Sequence, residues 1–351
     1  MSRSKRAGIV GVTGYTGLEL LRILDSHPEF DLACATSRKE AGRRIDDLFP
    51  HLRGTRNGDL MVVEPDLDIL AAECGLVFLA VPHGTAQEMA AGLLERGVLV
   101  VDLSADFRLR DTAVYEAWYK TPHTQPKALA EAVYGLPELY AQEIAKARLV
   151  ANPGCYPTSA ILGLFPALAE GLVKADGLVV DSKSGASGAG RKASVGILFC
   201  EVHDSFRAYN LGGHRHTPEI EQELSRAVWK DVKVSFNTHL LPIDRGILST
   251  MYAERVGDHD LEAVHAAYTA FYHDRPWVRV LPKGILPETR HVRGTMFCDI
   301  GLVVDPRTNR LIVVSAIDNL CRGASGQAVA NANLMTGQDP GAGLGLMPVM
   351  P

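Results

Sequence analysis

The sequence lacks closely spaced cysteines, long apolar runs and a strong charge of either sign. Its six cysteines stand far apart in 351 residues with no CxxC pair, which argues against a disulfide framework or a zinc knuckle and for a reducing compartment. The longest apolar runs, such as 76–81, fall far short of the roughly 20 residues that span a bilayer. With 36 Lys and Arg against 41 Asp and Glu, the net charge of −5 offers no basic field for nucleic acid. These absences predict a cytoplasmic globular enzyme with neither a membrane nor a nucleic-acid partner.

The first half of the chain alternates strand and helix patterns. Apolar runs at 7–12, 30–36, 76–81 and 98–103 predict buried strands, and leucines at helical spacing follow the first of them. Thr85 and Glu88 form a predicted capping box that opens a helix through about residue 95. Strands alternating with helices are typical of a doubly wound parallel sheet, which makes this half an α/β domain.

The second half has a different pattern. Strand-like segments occur at 178–182, 232–241, 246–254, 296–304 and 311–317. The last two flank a turn at 305–309, and helices are expected at 218–228, 261–273 and 325–335. Strands joined by hairpins predict an antiparallel or mixed sheet with helices on one face, in an α+β domain. The length of 351 residues suits two domains of about 150 residues each.

Three glycines lie between the first strand and the first helix. A dinucleotide fold needs glycines here, because the backbone approaches the pyrophosphate closely and the helix N-terminus supplies N–H groups. The spacing GxxGxxG departs from the commoner GxGxxG, and a tight βα turn without a ligand is the alternative. The strand before and the helix after favour dinucleotide binding by Gly11, Thr13, Gly14, Tyr15, Thr16 and Gly17.

The end of the second strand indicates which dinucleotide binds. NAD enzymes usually place an acidic residue there to bind the ribose hydroxyl. Here Thr36 is followed by Ser37, Arg38 and Lys39, and Ser37 and Arg38 suit the charge of a 2′-phosphate. A solvated basic turn is the alternative interpretation. NADP is therefore the preferred cofactor.

A polar turn with a cysteine lies between a strand-like segment, 148–151, and an apolar helix, 160–168. Pro157 suits the first turn of a helix, so Cys155 is expected at a helix N-terminus. There the helix dipole lowers the pKa of a thiol and favours the nucleophilic thiolate. A structural cysteine is the alternative. The other five cysteines are expected to be small core residues.

Two histidines follow two glycines in the segment GGHRHTPEI, 212–220. Thr217 is the expected N-cap and Pro218 the N1 residue of the next helix, which places His216 just outside it. His214 and His216 are both candidates for the general acid or base, with His216 preferred. An HxH metal site is the competing interpretation. No third ligand has a suitable spacing, so no metal is expected.

Small residues fill the segment SKSGASGAGRK, 182–192, which is expected to follow a strand as a loop. Such a loop lets backbone N–H groups and hydroxyls approach an anion or the nicotinamide side of a cofactor. Ser187 and Gly188 are the candidate cofactor contacts in it. A flexible surface loop is the alternative.

Eight motifs occur in order over about residues 8–335. They are GVTGYTG (11–17), VPHG (81–84), LSADFR (103–108), YGLPEL (134–139), NPGCYPT (152–158), SGASGAGRK (184–192), GHRHTPEI (213–220) and AIDNL (316–320). In these motifs the chain resembles the N-acetyl-γ-glutamyl-phosphate reductase family, NADP-dependent enzymes of arginine biosynthesis. A sister family, which reduces a carrier-bound aminoadipyl phosphate, is similar around the histidines. The wider clan includes aspartate-semialdehyde dehydrogenase and glyceraldehyde-3-phosphate dehydrogenase.

The resemblance implies a division into an NADP-binding Rossmann-like domain, 1–154 and 318–351, and a catalytic and dimerisation domain of the semialdehyde-dehydrogenase type, 155–317. It implies a homo-oligomer, a dimer or tetramer, and a last helix that returns to the first domain. By the same resemblance Cys155 is the nucleophile, one of the paired histidines is the acid/base, and Pro82 and Asn319 contact the cofactor. The candidate contacts for the substrate phosphate or carboxylate are Arg108, Asn152, Ser184, Arg191 and Arg215.

The activity that the resemblance implies is reduction of N-acetyl-glutamyl 5-phosphate by NADPH to the 5-semialdehyde. Phosphate is released, and the reaction passes through a thioester on Cys155. The competing functions are reduction of a carrier-bound aminoadipyl phosphate, aspartate-semialdehyde dehydrogenase activity, and a nucleotide-sensing regulator that binds NADPH without chemistry.

Overall fold

The computed structural model describes residues 5–349, which form two compact units. The first unit contains residues 5–153 together with Ala324–Leu346. The second unit contains Gly154–Gly323 and residues 347–349.

The helices and strands of the described residues follow in chain order. The helices are α1 (Tyr15–Asp25), α2 (Ile45–Leu48), α3 (Leu67–Glu73), α4 (Ala86–Glu95), α5 (Thr112–Tyr119), α6 (Pro126–Glu131), α7 (Pro137–Ile144), α8 (Cys155–Ala169), α9 (Phe199–Val202), α10 (Thr217–Val228), α11 (Leu261–Phe271) and α12 (Gly326–Met335). The strands are β1 (Arg6–Val10), β2 (Asp31–Thr36), β3 (Val62–Val63), β4 (Leu76–Leu79), β5 (Leu99–Asp102), β6 (Val133–Tyr134), β7 (Leu149–Ala151), β8 (Leu178–Ser184), β9 (Arg207–Tyr209), β10 (Val234–Leu240), β11 (Ile247–Glu254), β12 (Val278–Val280), β13 (Cys298–Asp305) and β14 (Arg310–Ile317).

The first unit contains a parallel sheet of seven strands in the order β3-β2-β1-β4-β5-β7-β6. Every residue of the central strand β4 is buried, as expected of a strand covered on both faces. The four strands predicted for this half are confirmed, with ends that differ by one or two residues. The predicted doubly wound α/β architecture is confirmed as well.

Helix α4 begins where it was predicted, but the capping box is wrong. The Thr85 side chain forms no capping hydrogen bond. The buried carboxylate of Asp106 accepts hydrogen bonds from the Gly84 N–H at 2.7 Å and the Ala86 N–H at 3.0 Å instead. Asp106, from a later loop, caps the N-terminus of α4 in place of Thr85, because a carboxylate is a stronger hydrogen-bond acceptor than a hydroxyl. The VPHG loop is therefore held by the LSADFR segment.

Helix α12 belongs to the first unit, where it packs against α1 and α7. Just before α12, the Ser325 hydroxyl donates to the Thr16 carbonyl oxygen at 2.8 Å. Further along the helix, the Asn331 amide donates to the Gly135 carbonyl oxygen at 2.9 Å. The end of the chain thus supports the glycine loop near its beginning.

The second unit contains a mixed sheet of seven strands in the order β12-β13-β14-β11-β8-β10-β9. The pairs β8–β10 and β12–β13 are parallel and the others antiparallel, so the predicted mixed sheet is confirmed. Along β8 and β11 buried residues alternate with half-buried ones, because one face packs on α8, α10 and α11. The predicted hairpin turn joins β13 to β14.

Helix α8, the long helix of the second unit, contains a proline. Pro166 has no N–H, so the Leu162 carbonyl oxygen loses its donor within the helix. The Tyr272 hydroxyl donates to that oxygen at 2.5 Å, and the Tyr268 hydroxyl donates to the Gly163 carbonyl oxygen at 2.7 Å. Both tyrosines come from α11 and its C-terminal end, and they hold α8 in the core.

Two local predictions in the second unit are wrong, and one confirmed strand runs further than predicted. Strand β8 extends to Ser184, two residues past its predicted end, because the pairing with β10 and β11 continues through that residue. Helix α10 begins at Thr217 with His216 as its N-cap residue, so the N-cap lies one residue earlier than expected. Cys200 is exposed, whereas Cys34, Cys74, Cys298 and Cys321 are buried as predicted.

Candidate active site

Cys155 is the first residue of α8, which confirms the predicted placement at a helix N-terminus. Gly154 precedes it in extended conformation, and the first turn contains neither a capping side chain nor an acidic residue. The positive end of the helix dipole therefore acts on the thiol without competition from a local carboxylate on α8. Cys155 is partly exposed and forms no disulfide. Its position suits a reactive thiolate.

A buried glutamate contacts the segment before Cys155. Glu219, in the first turn of α10, accepts a hydrogen bond from the Gly154 N–H at 2.7 Å and is 1% exposed. Sequence reasoning did not single out this residue, although the motif HTPE places an acid in the first turn of a helix. The contact joins the chain just before Cys155 to the helix that begins with the histidines.

The two predicted histidines lie together beside the residue after Cys155. The His214 and His216 ring centroids are 4.8 Å apart, and the Tyr156 ring contacts them edge-on at 5.4 and 6.0 Å. Phe236 packs against His214 and Tyr156 from the sheet. The structure thus brings both histidines to the start of α8, within the second unit.

The two histidines differ in their hydrogen bonding. The His216 backbone N–H donates to Nδ1 of His214 at 3.1 Å. Burial, together with the neighbouring charge of Arg215, lowers the pKa of His214 to about 4. His214 is therefore neutral near pH 7, and its Nδ1 lone pair is occupied by the backbone of His216.

Two tyrosines form a hydrogen-bonded pair beside the histidines. The Tyr156 and Tyr209 hydroxyls are 2.6 Å apart, and burial raises the pKa of both phenols. The tyrosine pair therefore stays neutral, and both rings pack against His214. The Ser184 hydroxyl, one of the predicted substrate contacts, donates to the Gly185 carbonyl oxygen at 3.0 Å. The sequence contained no pattern that singled the tyrosines out.

Four predicted contacts gather in the second unit at the end of β8. The Asn319 amide donates to the Ser187 hydroxyl at 3.0 Å, and its oxygen accepts the Gly246 N–H at 2.8 Å. A Cβ added to Gly188 would lie 3.4 Å from the Ser184 hydroxyl oxygen and 3.9 Å from the Asn319 amide nitrogen. The first turn of the small-residue segment is a short 3₁₀ helix, Ala186–Ala189. Asn319, Ser184, Ser187 and Gly188 thus form one cluster.

The glycine loop of the first unit leaves room for backbone contact alone. A Cβ at Gly17 would lie 2.4 Å from the Gly11 carbonyl oxygen, and a Cβ at Gly11 would lie 2.3 Å from the Ala80 carbonyl oxygen. Gly11 also has φ +91°, which favours glycine. No side chain caps α1, and its first turn contains no acid. The loop therefore presents N–H groups of a helix start, which fits a pyrophosphate.

The remaining predicted cofactor contacts lie at strand ends near this loop. Pro82 is exposed and follows β4, two residues after Ala80. Ser37 is buried and follows β2, and its backbone N–H donates to the Val63 carbonyl oxygen at 3.0 Å. Arg38 is exposed and forms no ion pair with any residue in 5–349. A cation at this strand end fits a phosphate on the ribose.

Two of the predicted substrate contacts are buried in the first unit. The Arg108 guanidinium donates to the Asn152 carbonyl oxygen at 2.8 Å and to the Leu103 carbonyl oxygen at 2.9 Å. The Asn152 amide donates to the Ala324 carbonyl oxygen at 3.1 Å, and its oxygen accepts from Asn331 at 3.1 Å. Both residues hold the segment that leads to Cys155. Arg191 and Arg215, the other two arginines, are exposed.

Neither a metal cluster nor a spanning helix is found in the part of the chain that the structure describes. No three His, Cys, Asp or Glu side chains gather there in a way that suits a metal ion. Among the same residues, every helix is too short or too polar to cross a bilayer.

Two family models match most of the chain. The model for the semialdehyde dehydrogenase NAD-binding domain matches residues 6–147. The model for the semialdehyde dehydrogenase dimerisation domain matches residues 155–319. The boundary between the matches falls just before Cys155.

Curated relatives are similar over the full length. The chain is 53% identical over 347 residues to an N-acetyl-gamma-glutamyl-phosphate reductase of Geobacter sp. (strain M21), covering 99% of both chains. It is 50% identical to the protein of the same name from Desulfotalea psychrophila, again covering 99% of both.

Solved structures with the same fold are much more distant in sequence. Aspartate semialdehyde dehydrogenase II from Vibrio cholerae matches with a TM-score of 0.71 and 16% identity, covering 95% of this chain and 98% of that one. The enzyme of Candida albicans, solved with NADP, matches with a TM-score of 0.67 and 17% identity, covering 95% and 99%. These matches support the fold.

Proposed function

Because this chain belongs to the N-acetyl-γ-glutamyl-phosphate reductases, within the semialdehyde dehydrogenases, we propose that it makes N-acetyl-glutamate 5-semialdehyde from N-acetyl-glutamyl 5-phosphate. NADPH is the reductant, phosphate is released, and the reaction is a step of arginine biosynthesis. The observation that carries this assignment is Cys155 at the N-terminus of α8 beside a histidine pair. Identities of 50% and above favour this substrate over aspartate semialdehyde, since the aspartate enzymes are 16–17% identical.

Cys155 begins the reaction as a nucleophile. Its thiolate attacks the carbonyl carbon of the acyl phosphate, so a carbon–sulfur bond forms. The bond from that carbon to the phosphate oxygen then breaks, and phosphate leaves with the electron pair. The product is a thioester on Cys155. N–H groups in the first turn of α8 stabilise the negative oxygen that develops on the carbonyl.

His216 acts as the general acid and then as the general base in the second half of the reaction. When bound, NADPH supplies the hydride that reduces the carbonyl carbon of the thioester. His216 protonates the resulting oxygen, which gives a thiohemiacetal, and then takes the proton back as the aldehyde forms. The carbon–sulfur bond breaks, and the Cys155 thiolate is restored.

The hydrogen bonding supports His216 over His214 in this role. His214 has a pKa of about 4 and an Nδ1 that already accepts the His216 backbone N–H. A group with that pKa is a weak base near neutral pH and holds few protons to donate. His214 instead orients the backbone of His216, while its ring packs on Tyr156.

The cofactor contacts fall into two groups. In the first unit, the glycine loop residues Gly11, Thr13, Gly14, Tyr15, Thr16 and Gly17 bind the pyrophosphate, Ser37 and Arg38 bind the 2′-phosphate, and Pro82 lies against the cofactor. In the second unit, Ser187, Gly188 and Asn319 bind the nicotinamide end. The observation behind the first group is the tight packing of the glycine loop, where a Cβ at Gly11 or Gly17 would clash with backbone atoms.

Arg191 and Arg215 bind the phosphate or the carboxylate of the substrate, because both are exposed arginines in segments that carry other site residues. Ser184 contributes its hydroxyl from the end of β8. Arg108 and Asn152 act indirectly, through the hydrogen bonds that hold the segment before Cys155.

The protein assembles as a homo-oligomer, a dimer or a tetramer, in the cytoplasm. The match to a dimerisation domain over residues 155–319 supports the assembly. The residues of β8 and β11 that face away from the helices are half-buried in the single chain, as a sheet face available for pairing would be. The cytoplasmic location rests on six cysteines that form no disulfide.

The test is the reverse reaction, followed by NADPH absorbance. Purified protein receives N-acetyl-glutamate 5-semialdehyde, phosphate and NADP⁺, with aspartate semialdehyde in a parallel assay. We expect phosphate-dependent NADPH formation with the first substrate alone. Activity only with aspartate semialdehyde would move the assignment to that enzyme. No NADPH formation with either substrate would favour a carrier-bound substrate or a nucleotide sensor.

The role of Cys155 is tested with a matched cysteine variant. We expect Cys155→Ser to abolish turnover and leave NADPH binding unchanged, while Cys200→Ser at the exposed cysteine keeps full turnover. Cys155 should also react with iodoacetamide faster than Cys200. Turnover retained by Cys155→Ser would exclude the thioester mechanism.

A further inference from the structure

The buried carboxylate of Asp318 organises a turn at the end of β14. Its Oδ1 accepts hydrogen bonds from the N–H groups of Leu320 and Cys321, each at 2.8 Å. Its Oδ2 accepts the Gly294 N–H at 2.7 Å. Asp318 is fully buried, and the Arg245 guanidinium lies 3.6 Å from Oδ2. One carboxylate thus satisfies three backbone N–H groups from two segments.

The same turn ends against the nucleophile. The Gly323 N–H donates to the Asp318 carbonyl oxygen at 2.9 Å, in a short π-helical segment, Cys321–Ser325. A Cβ added to Gly323 would lie 2.6 Å from the Cβ of Cys155 and 3.0 Å from its Cα. The backbone of Gly323 is therefore in contact with Cys155 and leaves no room for any side chain. π-Helical turns often occur at functional sites.

Asn319 follows Asp318 directly and is held by the same turn. Its side chain contacts Gly246 and Ser187, as described above. The segment from Asp318 to Gly323 therefore has Asn319 near its first end. At its other end, Gly323 contacts Cys155. Any loosening of the turn moves both together.

We propose that Asp318 is a positioning residue of the reaction: through its hydrogen bonds to the turn, it holds Gly323 against Cys155 and keeps Asn319 in place. The proposal rests on the proposed role of Cys155 as the nucleophile. Without the carboxylate, the N–H groups of Leu320, Cys321 and Gly294 have no acceptor at this point, so the turn relaxes. The Cys155 thiol then loses the contact that fixes its orientation at the helix start.

The test uses Asp318→Asn, which keeps the side-chain volume but loses one acceptor oxygen. We expect kcat to fall about 10- to 100-fold, the loss that a displacement of about 1 Å causes, while KM changes far less. Iodoacetamide should also alkylate Cys155 roughly tenfold more slowly, as the thiolate is less well oriented on the helix dipole. Asp299→Asn is the matched control, because Asp299, on β13, is a buried carboxylate paired with Arg279 on β12. It should lower the melting temperature and leave kcat and the alkylation rate unchanged.

A second variant gives an answer even if Asp318→Asn does not fold. Gly323→Ala leaves Asp318 intact but places a methyl group against Cys155. It should therefore lower kcat and slow the alkylation of Cys155 in the same way. Gly345→Ala, at a glycine with open space around it, is its control and should match the wild type.

Unchanged kcat and alkylation in both Asp318→Asn and Gly323→Ala, with only a lower melting temperature, would overturn the proposal. Cys155→Ser is assayed beside them. If that variant keeps its turnover, the thioester mechanism itself fails. If Cys155→Ser is inactive while the Asp318 and Gly323 variants match the wild type, only the positioning role fails.

Discussion

The carboxylate of Glu219 accepts a hydrogen bond from the Gly154 N–H at 2.7 Å, across 65 residues of sequence. Gly154 is the N-cap residue of α8, and Glu219 lies in the first turn of α10, three residues after His216. One hydrogen bond therefore couples the two helix starts that carry the proposed nucleophile and the proposed acid/base. It is buried, so water does not readily replace it.

Breaking that bond is expected to uncouple the two helix starts. Glu219→Ala leaves the Gly154 N–H without its acceptor and should lower the free energy of unfolding by about 1–3 kcal/mol. It should also lower kcat more than it raises KM, because the geometry between Cys155 and His216 is disturbed. Glu219→Gln keeps an acceptor oxygen, so it should retain more of the stability and more of kcat than Glu219→Ala does. Equal kcat in wild type and Glu219→Ala, measured by stopped-flow NADPH oxidation, would argue against the coupling.

The two histidines are separated by their pH profiles. His214 has a pKa of about 4, so it is neutral throughout the assay range, and His214→Asn should leave the acidic limb of kcat/KM in place. Its activity should fall only modestly, since the Asn oxygen still accepts the His216 N–H. His216→Asn should lose about 10²- to 10⁴-fold in kcat, the usual share of a general acid/base. Loss of the acidic limb in His214→Asn would reverse the assignment.

Cofactor selectivity is expected to depend on Arg38. Arg38→Ala should weaken NADPH binding by about 1–3 kcal/mol, the scale of a hydrogen bond to a charged group. NADH binding should barely change, because NADH has no 2′-phosphate for Arg38 to contact. Dissociation constants from fluorescence titration of both cofactors provide the measurement, with Arg53→Ala as an exposed control. Equal losses for the two cofactors would refute the contact.

The stability of the first unit is expected to fall as the pH rises, because of Asp102. Burial, then the charge of Asp106, raises the pKa of this carboxyl from 3.8 to about 7. A raised pKa in the folded state means that the folded protein holds the proton more tightly than the unfolded chain does. The stabilisation is complete below about pH 4 and is lost as the pH rises through about 7.

Asp102→Asn removes this titration, so comparison with the wild type measures how much it contributes to the free energy of unfolding. The free energy of unfolding of the variant minus that of the wild type should rise by a few kcal/mol between about pH 4 and about pH 8, in urea titrations. The amide oxygen can still accept the Ser104 N–H, which donates to Asp102 at 2.8 Å. Asp176→Asn, at an exposed position, is the control for the substitution itself. A difference that stays level with pH would mean that Asp102 titrates normally.

Local sequence patterns were sufficient for much of this molecule. The alternation of strands and helices predicted the parallel sheet, because buried parallel strands are continuous apolar runs whatever lies beside them. The glycines before α1 and the proline after Cys155 marked two helix starts for reasons that act within a few residues. Thr85 shows the limit of such reasoning. Its hydroxyl is a plausible N-cap, but the carboxylate of Asp106, from another segment, caps the helix instead.

The sequence by itself determined the two kinds of sheet, the helix start at Cys155, the glycine loop and the neighbouring pair of histidines. Only the tertiary structure decided which groups act on them. Glu219 reaches Gly154, Gly323 closes against Cys155, and His214 turns its Nδ1 toward the backbone of His216. Short-range patterns reflect backbone preferences and burial, which each segment carries with it. Contacts between distant residues depend on how helices and strands pack, and burial then sets the pKa of the groups that meet there.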